Sequence, residues 1–508
     1  MVVLRSPIEP RQRELPLGSD PPSAEALRRA VTSATPREVK SALGQFMTPE
    51  PVARFMASLF RRSKGPFALL EPGAGLGALA TAALERWHRG DLGSGAMRVA
   101  AYEIDDSLRS HLATVLARYR AHAASIDVIA GDFLSHAADA VEAGRRDFTH
   151  AILNPPYKKI GTASEARAHA RRAGLETVNL YSAFVGLALA QLKPRGQLVA
   201  IIPRSFCNGP YYKPFREFIL AHAAIRAIHL FDARNQAFSD DDVLQENVIV
   251  ALERDAKQGA VTITTSRDAR FEDVASRKVP FDEVVKPDDD GLFIHIAANG
   301  DRDPLAGAAR VRMTLADLGL TVSTGPVVDF RLWNHILPLP ARGAVPLLYP
   351  AHVAGRDVTW PIEGGKKHNA IARNAETERW LFPLGAYTVV RRFSSKEERR
   401  RVVASVVTPD DLPGATAIGF ENHLNVFHAR KAGLPLEVAW GLSVYLNSTA
   451  VDEHFRRFNG HTQVNATDLR ALPYPGTEAL RALGTWAAKA KDRDQGEIDR
   501  RVGALLAS

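Results

Sequence analysis

The chain has 508 residues, which is more than one hydrophobic core usually serves, so two domains with terminal extensions are expected. Hydrophobic residues make up 45% and charged residues 24%, which is ordinary for a soluble globular protein. No apolar stretch reaches the roughly 18 residues of a membrane span and the start lacks a signal-peptide core, so a cytoplasmic protein without a membrane partner is expected. The single cysteine excludes an internal disulfide, and the net charge of +8 favours a polyanionic partner.

The composition changes along the chain and predicts five regions. Residues 1–38, rich in proline, are expected to form a flexible arm. A regular alternation of apolar strands and amphipathic helices over residues 39–255 predicts an α/β domain. Residues 256–314 are a connecting region of short strands and turns, and residues 315–475 a second, loop-rich domain. Residues 476–508 carry apolar positions at helical spacing and are predicted to form a C-terminal helix.

The first landmark is the segment Leu43–Pro49, followed by apolar residues at helical spacing. Thr48 is a suitable N-cap, with Pro49 at the first helical position. On these residues alone a capped helix is a sufficient interpretation.

A glycine turn comes next, between an apolar strand and a helix. The strand Phe67–Leu70 runs into Glu71, and Gly73-Ala74-Gly75 leads into the helix 78–88. Glycine lets the backbone pass close to a ligand where a Cβ atom would collide. The turn is not a dinucleotide fingerprint, because a carboxylate at Glu71 would repel a pyrophosphate and attract a cation.

Two further predicted strands also end in an acid. Met97–Glu103 is followed by Ile104, and 126–130 is followed by Asp132 and Phe133. Each acid alone is typical of a strand-end turn. Because consecutive parallel strands end at the same edge of a sheet, the three carboxylates together predict a ligand site there.

Asn154-Pro155-Pro156-Tyr157 follows a fourth apolar run, Thr149–Leu153. The side-chain oxygen of Asn154 and the carbonyl of Pro155 are two acceptors in a stiff frame, able to accept both hydrogens of an exocyclic amino group. The nitrogen lone pair is then free to attack. Tyr157 offers a flat face to a base, and such stacking is worth about 1–3 kcal/mol per base. The alternative is a strand-terminating turn with a packed tyrosine.

Asn154-Pro155-Pro156-Tyr157, the glycine turn and Gly44–Pro49 together resemble the gamma-class N6-adenine DNA methyltransferases of type II restriction–modification systems. The resemblance covers nearly the whole chain after residue 40. It implies a Rossmann-like α/β fold dependent on S-adenosylmethionine (AdoMet), with a mixed sheet, helices on both faces and a C-terminal target-recognition domain. Implied partners are double-stranded DNA and, as a candidate, a separate restriction endonuclease. No metal is expected.

The same resemblance implies roles for individual residues around AdoMet. Glu71 would hold its ammonium group, Glu103 both ribose hydroxyls, and Asp132 the adenine amino group. The segment before the first strand would cover the methionine end. The full implied set is Gln45, Phe46, Thr48, Pro49, Glu71, Gly73, Ala74, Gly75, Glu103, Ile104, Asp132 and Phe133.

Residues expected to contact DNA are spread over both domains. A flipped target base is expected to stack on Tyr157 and Tyr212. Lys158 to Gly174 is predicted to be a mobile basic loop that touches phosphates. The residues assigned to DNA binding are Lys158, Lys159, Arg399, Arg400, Arg401, His461, Gln463 and Asn465.

Three alternatives to adenine N6 methylation stay open. Cytosine N4 methylation uses the same amino-group chemistry, although Asn rather than Ser at position 154 favours adenine. An RNA or protein methyltransferase would share the catalytic motif, and the long basic second half argues against a protein substrate. A non-catalytic DNA-binding specificity module is the third, and the complete set of Glu71, Glu103, Asp132 and Asn154 argues against it.

Overall fold

The computed structural model describes residues 47–93, 95–231, 246–287, 289–296, 303–353, 357–394, 398–459, 463–490 and 493–507. The predicted arm at 1–38, Gln45, Phe46 and His461 lie outside these ranges. The chain divides into two compact units, Met1–Ala298 and Asn299–Ser508. Across the described ranges, no helix combines the length and apolarity that crossing a membrane would require.

The first unit alternates strands and helices, as the apolar periodicity predicts. Its elements are α1 (Glu50–Ser58), β1 (Phe67–Pro72), α2 (Ala78–His88), β2 (Met97–Glu103), α3 (Asp106–Ala117), β3 (Ser125–Ala130), α4 (Phe133–Glu142), β4 (Phe148–Leu153), α5 (Glu165–Arg172), α6 (Leu180–Ala190), β5 (Leu192–Pro203), α7 (Lys213–His222), β6 (Ala223–Phe231), β7 (Asn247–Arg254), β8 (Val261–Ser266), β9 (Ala275–Val279) and α8 (Phe281–Val284).

These strands form one nine-stranded mixed sheet in the order β3-β2-β1-β4-β5-β7-β6-β8-β9. The strands from β3 to β5 are parallel, so β1, β2, β3 and β4 all end at the same edge. Strand β7 runs antiparallel to β5 and β6, so the sheet is mixed, as the resemblance implied. Strands β8 and β9 extend the sheet beyond residue 255, into the stretch that the sequence assigned to a connecting region.

Neighbouring residues of the central strands belong to different core clusters, because successive side chains point to opposite faces. Leu69 packs with residues of α1 and α2, whereas Leu70 packs with residues of α4 and α6. In the same way, Ile152 belongs to the cluster of Leu69 and Leu153 to the cluster of Leu70. Helices therefore cover both faces of the sheet, as expected for an α/β fold of this class.

The predicted basic loop at Lys158–Gly174 is wrong in its second half, which forms helix α5. Ser164 caps the helix by accepting from the backbone N–H of Arg167. Arg167 and Arg171 pair with Glu176, and Arg172 pairs with Asp139 and Glu142. These ion pairs connect α5 with neighbouring segments of the first unit. The sequence could not predict them, because the acids lie on other segments.

The second unit consists of short strands and a helical end. Its elements are β10 (Val311–Met313), β11 (Thr321–Thr324), β12 (Ile336–Leu337), β13 (Ala344–Leu348), β14 (Ala370–Ala372), β15 (Phe382–Pro383), β16 (Tyr387–Arg391), β17 (Ala404–Val407), β18 (Ala417–Phe420), β19 (Leu424–His428), α9 (Leu436–Leu446), α10 (Thr449–Phe458), α11 (Ala466–Arg470), β20 (Tyr474–Pro475), α12 (Thr477–Lys489) and α13 (Gln495–Leu506).

Three small sheets lie in the described part of the second unit, in the orders β10-β20, β11-β19-β16-β17 and β12-β14-β13-β18-β15. The C-terminal segment contains two helices where the sequence predicted one. Asp494 caps the second of them, α13, because its side chain accepts from the backbone N–H of Glu497. An internal N-cap of this kind starts a new helix.

Candidate active site

The carboxyl ends of β1, β2, β3 and β4 surround a cavity of about 390 Å³. Among the residues that line it are the following predicted ones: Thr48, Glu71, Gly73, Ala74, Gly75, Glu103, Ile104, Asp132, Phe133, Asn154 and Pro156. Met47, in the segment expected to cover the methionine end, also lines it. Sequence reasoning missed these lining residues: Leu76, Ala78, Leu79, Tyr102, Leu108, Gly131, Leu134, Ala166, Leu180 and Phe184. Most of the missed residues are apolar, and an apolar residue next to a motif carries no signal that separates cavity lining from core.

The glycine turn after β1 folds back on the end of β2. Gly73 and Gly75 adopt φ values of 70° and 55°, in the left-handed region that residues with a Cβ atom rarely occupy. The backbone N–H of Gly75 donates to Glu103 Oε2 at 2.7 Å. The positive φ values therefore bring the turn against the acid that closes the neighbouring strand.

Glu103 is buried and holds the glycine turn and the start of α3 together. Its second oxygen, Oε1, accepts from the backbone N–H of Asp105 at 2.9 Å. Burial raises the pKa of Glu103, and the two backbone N–H groups oppose that rise. Each carboxylate oxygen has a second lone pair, so the group can still accept from a ligand hydroxyl.

Glu71 is the most deeply buried acid of the cavity, with 1% of its surface exposed. Its Oε2 accepts from the backbone N–H of Ala80, in the first turn of α2, at 3.0 Å. Burial raises the pKa of Glu71 well above its ordinary range, the Ala80 N–H lowers it, and the charge of Glu103 raises it. A cationic group in the cavity would offset the cost of burying this charge, so Glu71 fits the ammonium group of AdoMet.

Asp132 and its neighbours offer a polar edge and apolar faces. Asp132 caps α4 by accepting from the backbone N–H of Leu134 at 3.0 Å. Phe133 is buried in the wall, whereas Ile104 is 65% exposed. An acceptor between two apolar side chains suits a flat heterocycle with an amino group. Among the described residues, no group of three or more His, Cys, Asp or Glu is placed to hold a metal ion.

Asn154 has both ends of its side-chain amide in hydrogen bonds. Its Nδ2 donates to Thr48 Oγ1 at 3.1 Å, and its Oδ1 accepts from the Tyr157 hydroxyl at 3.0 Å. Tyr157 also lies 3.2 Å from the carbonyl of Ile201. Burial raises the pKa of Tyr157, so its hydroxyl keeps its proton. These bonds fix the orientation of the Asn154 amide. Thr48 is not the helix N-cap that the sequence predicted, because α1 starts at Glu50 after Pro49.

Three tyrosines converge at the segment that follows β4. The ring of Tyr181 packs edge-on against Tyr157 at 6.3 Å and lies stacked against Tyr212 at 6.1 Å. The Tyr212 hydroxyl accepts from Ser205 Oγ at 3.3 Å. Tyr157 and Tyr212, predicted separately, are therefore brought together by Tyr181, which the sequence did not single out because it lies in the uniformly apolar helix α6.

Arg216 anchors the segment that carries Tyr212. It is fully buried, and its guanidinium donates to the backbone carbonyls of Phe206, Asn208, Gly209 and Gly291 at 2.7–3.0 Å. These bonds hold a turn of irregular backbone whose carbonyls have no ladder partner. Arg216 is a positioning residue for Tyr212.

The remaining predicted residues of the first unit lie off the cavity wall. Pro155 is buried, and Pro49 precedes α1 with its carbonyl accepting from the backbone N–H of Ala53. Lys158 and Lys159 are exposed directly after the catalytic motif. Their position leaves both cations accessible to a large anionic ligand.

The arginine cluster of the second unit is only partly exposed. Arg399 is exposed, whereas Arg400 is half-buried and donates to Thr449 Oγ1 at 2.8 Å. Arg401 is 1% exposed, and its guanidinium donates to Ser394 and Asn459. The expectation of a phosphate contact at Arg401 is corrected to a structural role, because a buried guanidinium with these partners is inaccessible to DNA.

Two further predicted DNA contacts, Gln463 and Asn465, are half-buried at the start of α11. Gln463 Oε1 accepts from Arg392 at 3.3 Å. Asn465 caps α11 together with Asp468, whose carboxylate accepts from the Asn465 backbone N–H at 3.0 Å. Asn465 thus stabilises the start of α11.

Comparison with known proteins identifies the family of this chain. Residues 117–238 match the family described as Eco57I restriction-modification methylase. The chain is 45% identical over 477 residues to the type II methyltransferase M.BsuBI of Bacillus subtilis, covering 92% of this chain and 94% of that protein. It is 41% identical over 466 residues to M.PstI of Providencia stuartii, covering 90% and 91%.

Solved structures share the fold at much lower sequence identity. The type IIL restriction-modification enzyme MmeI, solved in complex with DNA, matches with a TM-score of 0.50 and 10% identity, over 95% of this chain and 75% of that one. That likeness concerns the fold alone, whereas the relatives at 45% and 41% identity extend over nearly the whole chain. The chain therefore belongs to the type II methyltransferases of restriction–modification systems, which take their methyl group from AdoMet.

Proposed function

We propose that this protein methylates the N6 amino group of adenine within a short sequence of double-stranded DNA. The observation that carries the proposal is the fixed amide of Asn154, at the wall of a cavity that Glu71, Glu103 and Asp132 also line. A turn asparagine has no need of Thr48, a side-chain partner 106 positions away, in addition to Tyr157 of its own motif. An asparagine that must present its oxygen to a substrate does need such a partner, because the partner holds the amide in one orientation.

The cavity residues would hold AdoMet, which supplies an electrophilic methyl group when bound. Glu71 offers its buried charge to the ammonium group, and Glu103 offers its free lone pairs to the ribose hydroxyls. Asp132 would accept from the adenine amino group, with Ile104 and Phe133 against the ring. The chemistry of these donors and acceptors supports this cofactor over a dinucleotide, whose pyrophosphate the acids would repel.

The target base must leave the duplex, because its amino group is otherwise paired and out of reach. Asn154 Oδ1 and the Pro155 carbonyl would accept the two amino hydrogens and leave the nitrogen lone pair free. Tyr157 and Tyr212 would stack on the flipped base, with Tyr181 holding their rings in place. Positioning of this kind can supply most of the rate enhancement.

Adenine is favoured over cytosine by asparagine at position 154, and cytosine N4 methylation is the second candidate. Both bases present an exocyclic amino group to the same acceptors. The second unit would supply recognition of the DNA sequence. Cleavage, if it accompanies this activity, would belong to a separate cognate endonuclease.

Sequencing of modified bases in DNA from a methylation-deficient host that expresses the chain tests the proposal. The expected result is N6-methyladenine at one short sequence, and none in cells expressing Asn154→Ala. Methylation at cytosine N4 would transfer the proposal to the second candidate. Unmodified DNA from cells that contain folded, AdoMet-binding protein would overturn it.

A further inference from the structure

Exposed aromatic side chains are concentrated in one part of the second unit. Phe330, Trp333 and Phe393 are 72%, 61% and 45% exposed. Throughout the described ranges, Tyr211 is the other tyrosine, tryptophan or phenylalanine with comparable exposure. Large apolar side chains grouped in solvent mark a binding surface more often than chance placement.

Four chain segments bring these side chains together. Asp329 accepts from Lys367 at 3.1 Å, and the Trp333 ring lies edge-on to His368 at 4.9 Å. Val327, just before these residues, forms an isolated parallel bridge with Glu421, so the segment 421–423 lies alongside.

The same segment reaches the third aromatic residue. His423 packs against the Phe393 ring at 5.0 Å, and its carbonyl accepts from the Arg392 backbone N–H at 2.9 Å. We call Phe330, Arg331, Trp333, Lys367, Phe393 and His423 the aromatic face. These residues form one connected patch, although they span nearly a hundred positions of the chain.

Cations are interleaved with the aromatics of this face. The Arg331 guanidinium lies 5.6 Å from the Phe330 ring centre, and Lys367 Nζ lies 5.0 Å from the ring centre of Tyr349. The acids of these segments are already bonded, since Asp329 pairs with Lys367 and the buried Glu421 accepts from His423 Nδ1 at 2.5 Å. Alternating aromatic and cationic groups suit nucleic acid better than an apolar protein surface.

We infer that the aromatic face is a DNA-contact surface of this protein, an inference that rests on the proposed function. Trp333, Phe330 and Phe393 contact bases or wedge against base steps. Arg331 and Lys367 contact phosphates. The aromatic contacts then depend on the sequence and its deformability, whereas the cations contribute affinity for any sequence.

Binding measurements on the full chain separate these two contributions. The probes are a short duplex carrying the sequence found methylated in cells and a shuffled duplex of equal composition. Trp333→Ala should weaken binding to the first duplex by about tenfold, as loss of one aromatic–base contact predicts. Trp333→Phe should restore most of that loss. Leu436→Ala, which removes a 43% exposed side chain elsewhere in the unit, should bind like the parent.

Salt dependence provides the second readout. The aromatic variants should keep the parent's slope of log affinity against log salt, and Arg331→Gln should lower that slope by about 1. Unchanged affinity in Phe330→Ala, Trp333→Ala and Phe393→Ala, with DNA still methylated by the parent, would overturn the inference and leave the proposed function intact. Altered self-association of these variants with unchanged DNA binding would make the face a protein contact and overturn it too. A parent that binds neither duplex would overturn the inference, whereas the absence of methylated DNA in cells would overturn the proposed function.

Discussion

Asn154 Nδ2 donates to the hydroxyl oxygen of Thr48 at 3.1 Å, joining residues 106 positions apart. Thr48 lies just before α1, outside the sheet whose edge carries the segment Asn154–Tyr157. Because an amide donates through nitrogen and accepts through oxygen, this bond selects which end of Asn154 is left for a substrate amino group. The orientation of the proposed catalytic residue is thus set by a side chain from another segment.

Thr48→Val should lower the rate of methyl transfer by about fivefold, because an uncharged hydrogen bond worth about 1 kcal/mol no longer holds Asn154. Single-turnover rates on DNA that contains the target site measure this effect. Thr48→Ser keeps the hydroxyl and is the control. Equal rates in all three proteins would show that Asn154 is oriented by other contacts.

Glu103→Gln should weaken AdoMet binding by roughly 1.5–3 kcal/mol, the loss expected when hydroxyl donors lose a charged acceptor. The amide keeps the shape of the side chain, and its oxygen replaces one of the two carboxylate oxygens that accept from the N–H groups of Gly75 and Asp105. Calorimetric titration of the protein without DNA is the measurement. Asp106→Asn, at a mostly exposed acid in the first turn of α3, is the matched control and should bind like the parent. A Glu103→Gln affinity equal to the parent's would exclude the ribose contact.

Arg399→Gln should weaken binding to every DNA duplex alike and lower the salt slope by about 1, as loss of one phosphate contact predicts. Arg401→Gln should instead lower the stability of the second unit, because Ser394 and Asn459 lose a buried donor. Binding titrations at several salt concentrations and urea unfolding distinguish the two residues. A changed sequence preference in Arg399→Gln, with an unchanged salt slope, would make Arg399 a base reader.

The stability of the first unit should fall in mild acid because of His150. Burial lowers the pKa of this side chain to about 3, against about 6.5 in an unfolded chain. Unfolding therefore takes up a proton between these values, and the free energy of unfolding should drop by about 1.4 kcal/mol per pH unit below 6.5 for each such histidine.

His229 is a second buried histidine of this kind, with its pKa also lowered by burial to about 3. Urea unfolding at a series of pH values from 7 down to 4.5 measures the slope. His150→Gln removes one titrating group while His229 remains, so its slope should be smaller by about one proton. A slope identical to the parent's would mean that His150 is accessible to water in the folded state.

Elements and residues differ in how far the sequence could predict them. Glu71, Glu103 and Asp132 end consecutive strands, so the parallel order of the sheet was enough to bring them to one cavity. The contact of Thr48 with Asn154 depends on where α1 packs, which no local pattern encodes. The same limit applies to Arg401. The sequence does not distinguish three adjacent arginines, and only the fold shows that one of them donates to Ser394 and Asn459.

The exposed side chain of Ile104 affects the energetics of ligand binding in the cavity. Its side chain is 65% exposed at the cavity wall, an unusual place for a branched hydrocarbon. A flat ring that enters the cavity would remove this apolar area from water. Removal of apolar surface from water lowers the heat capacity, so the enthalpy of ligand binding should become more negative as the temperature rises.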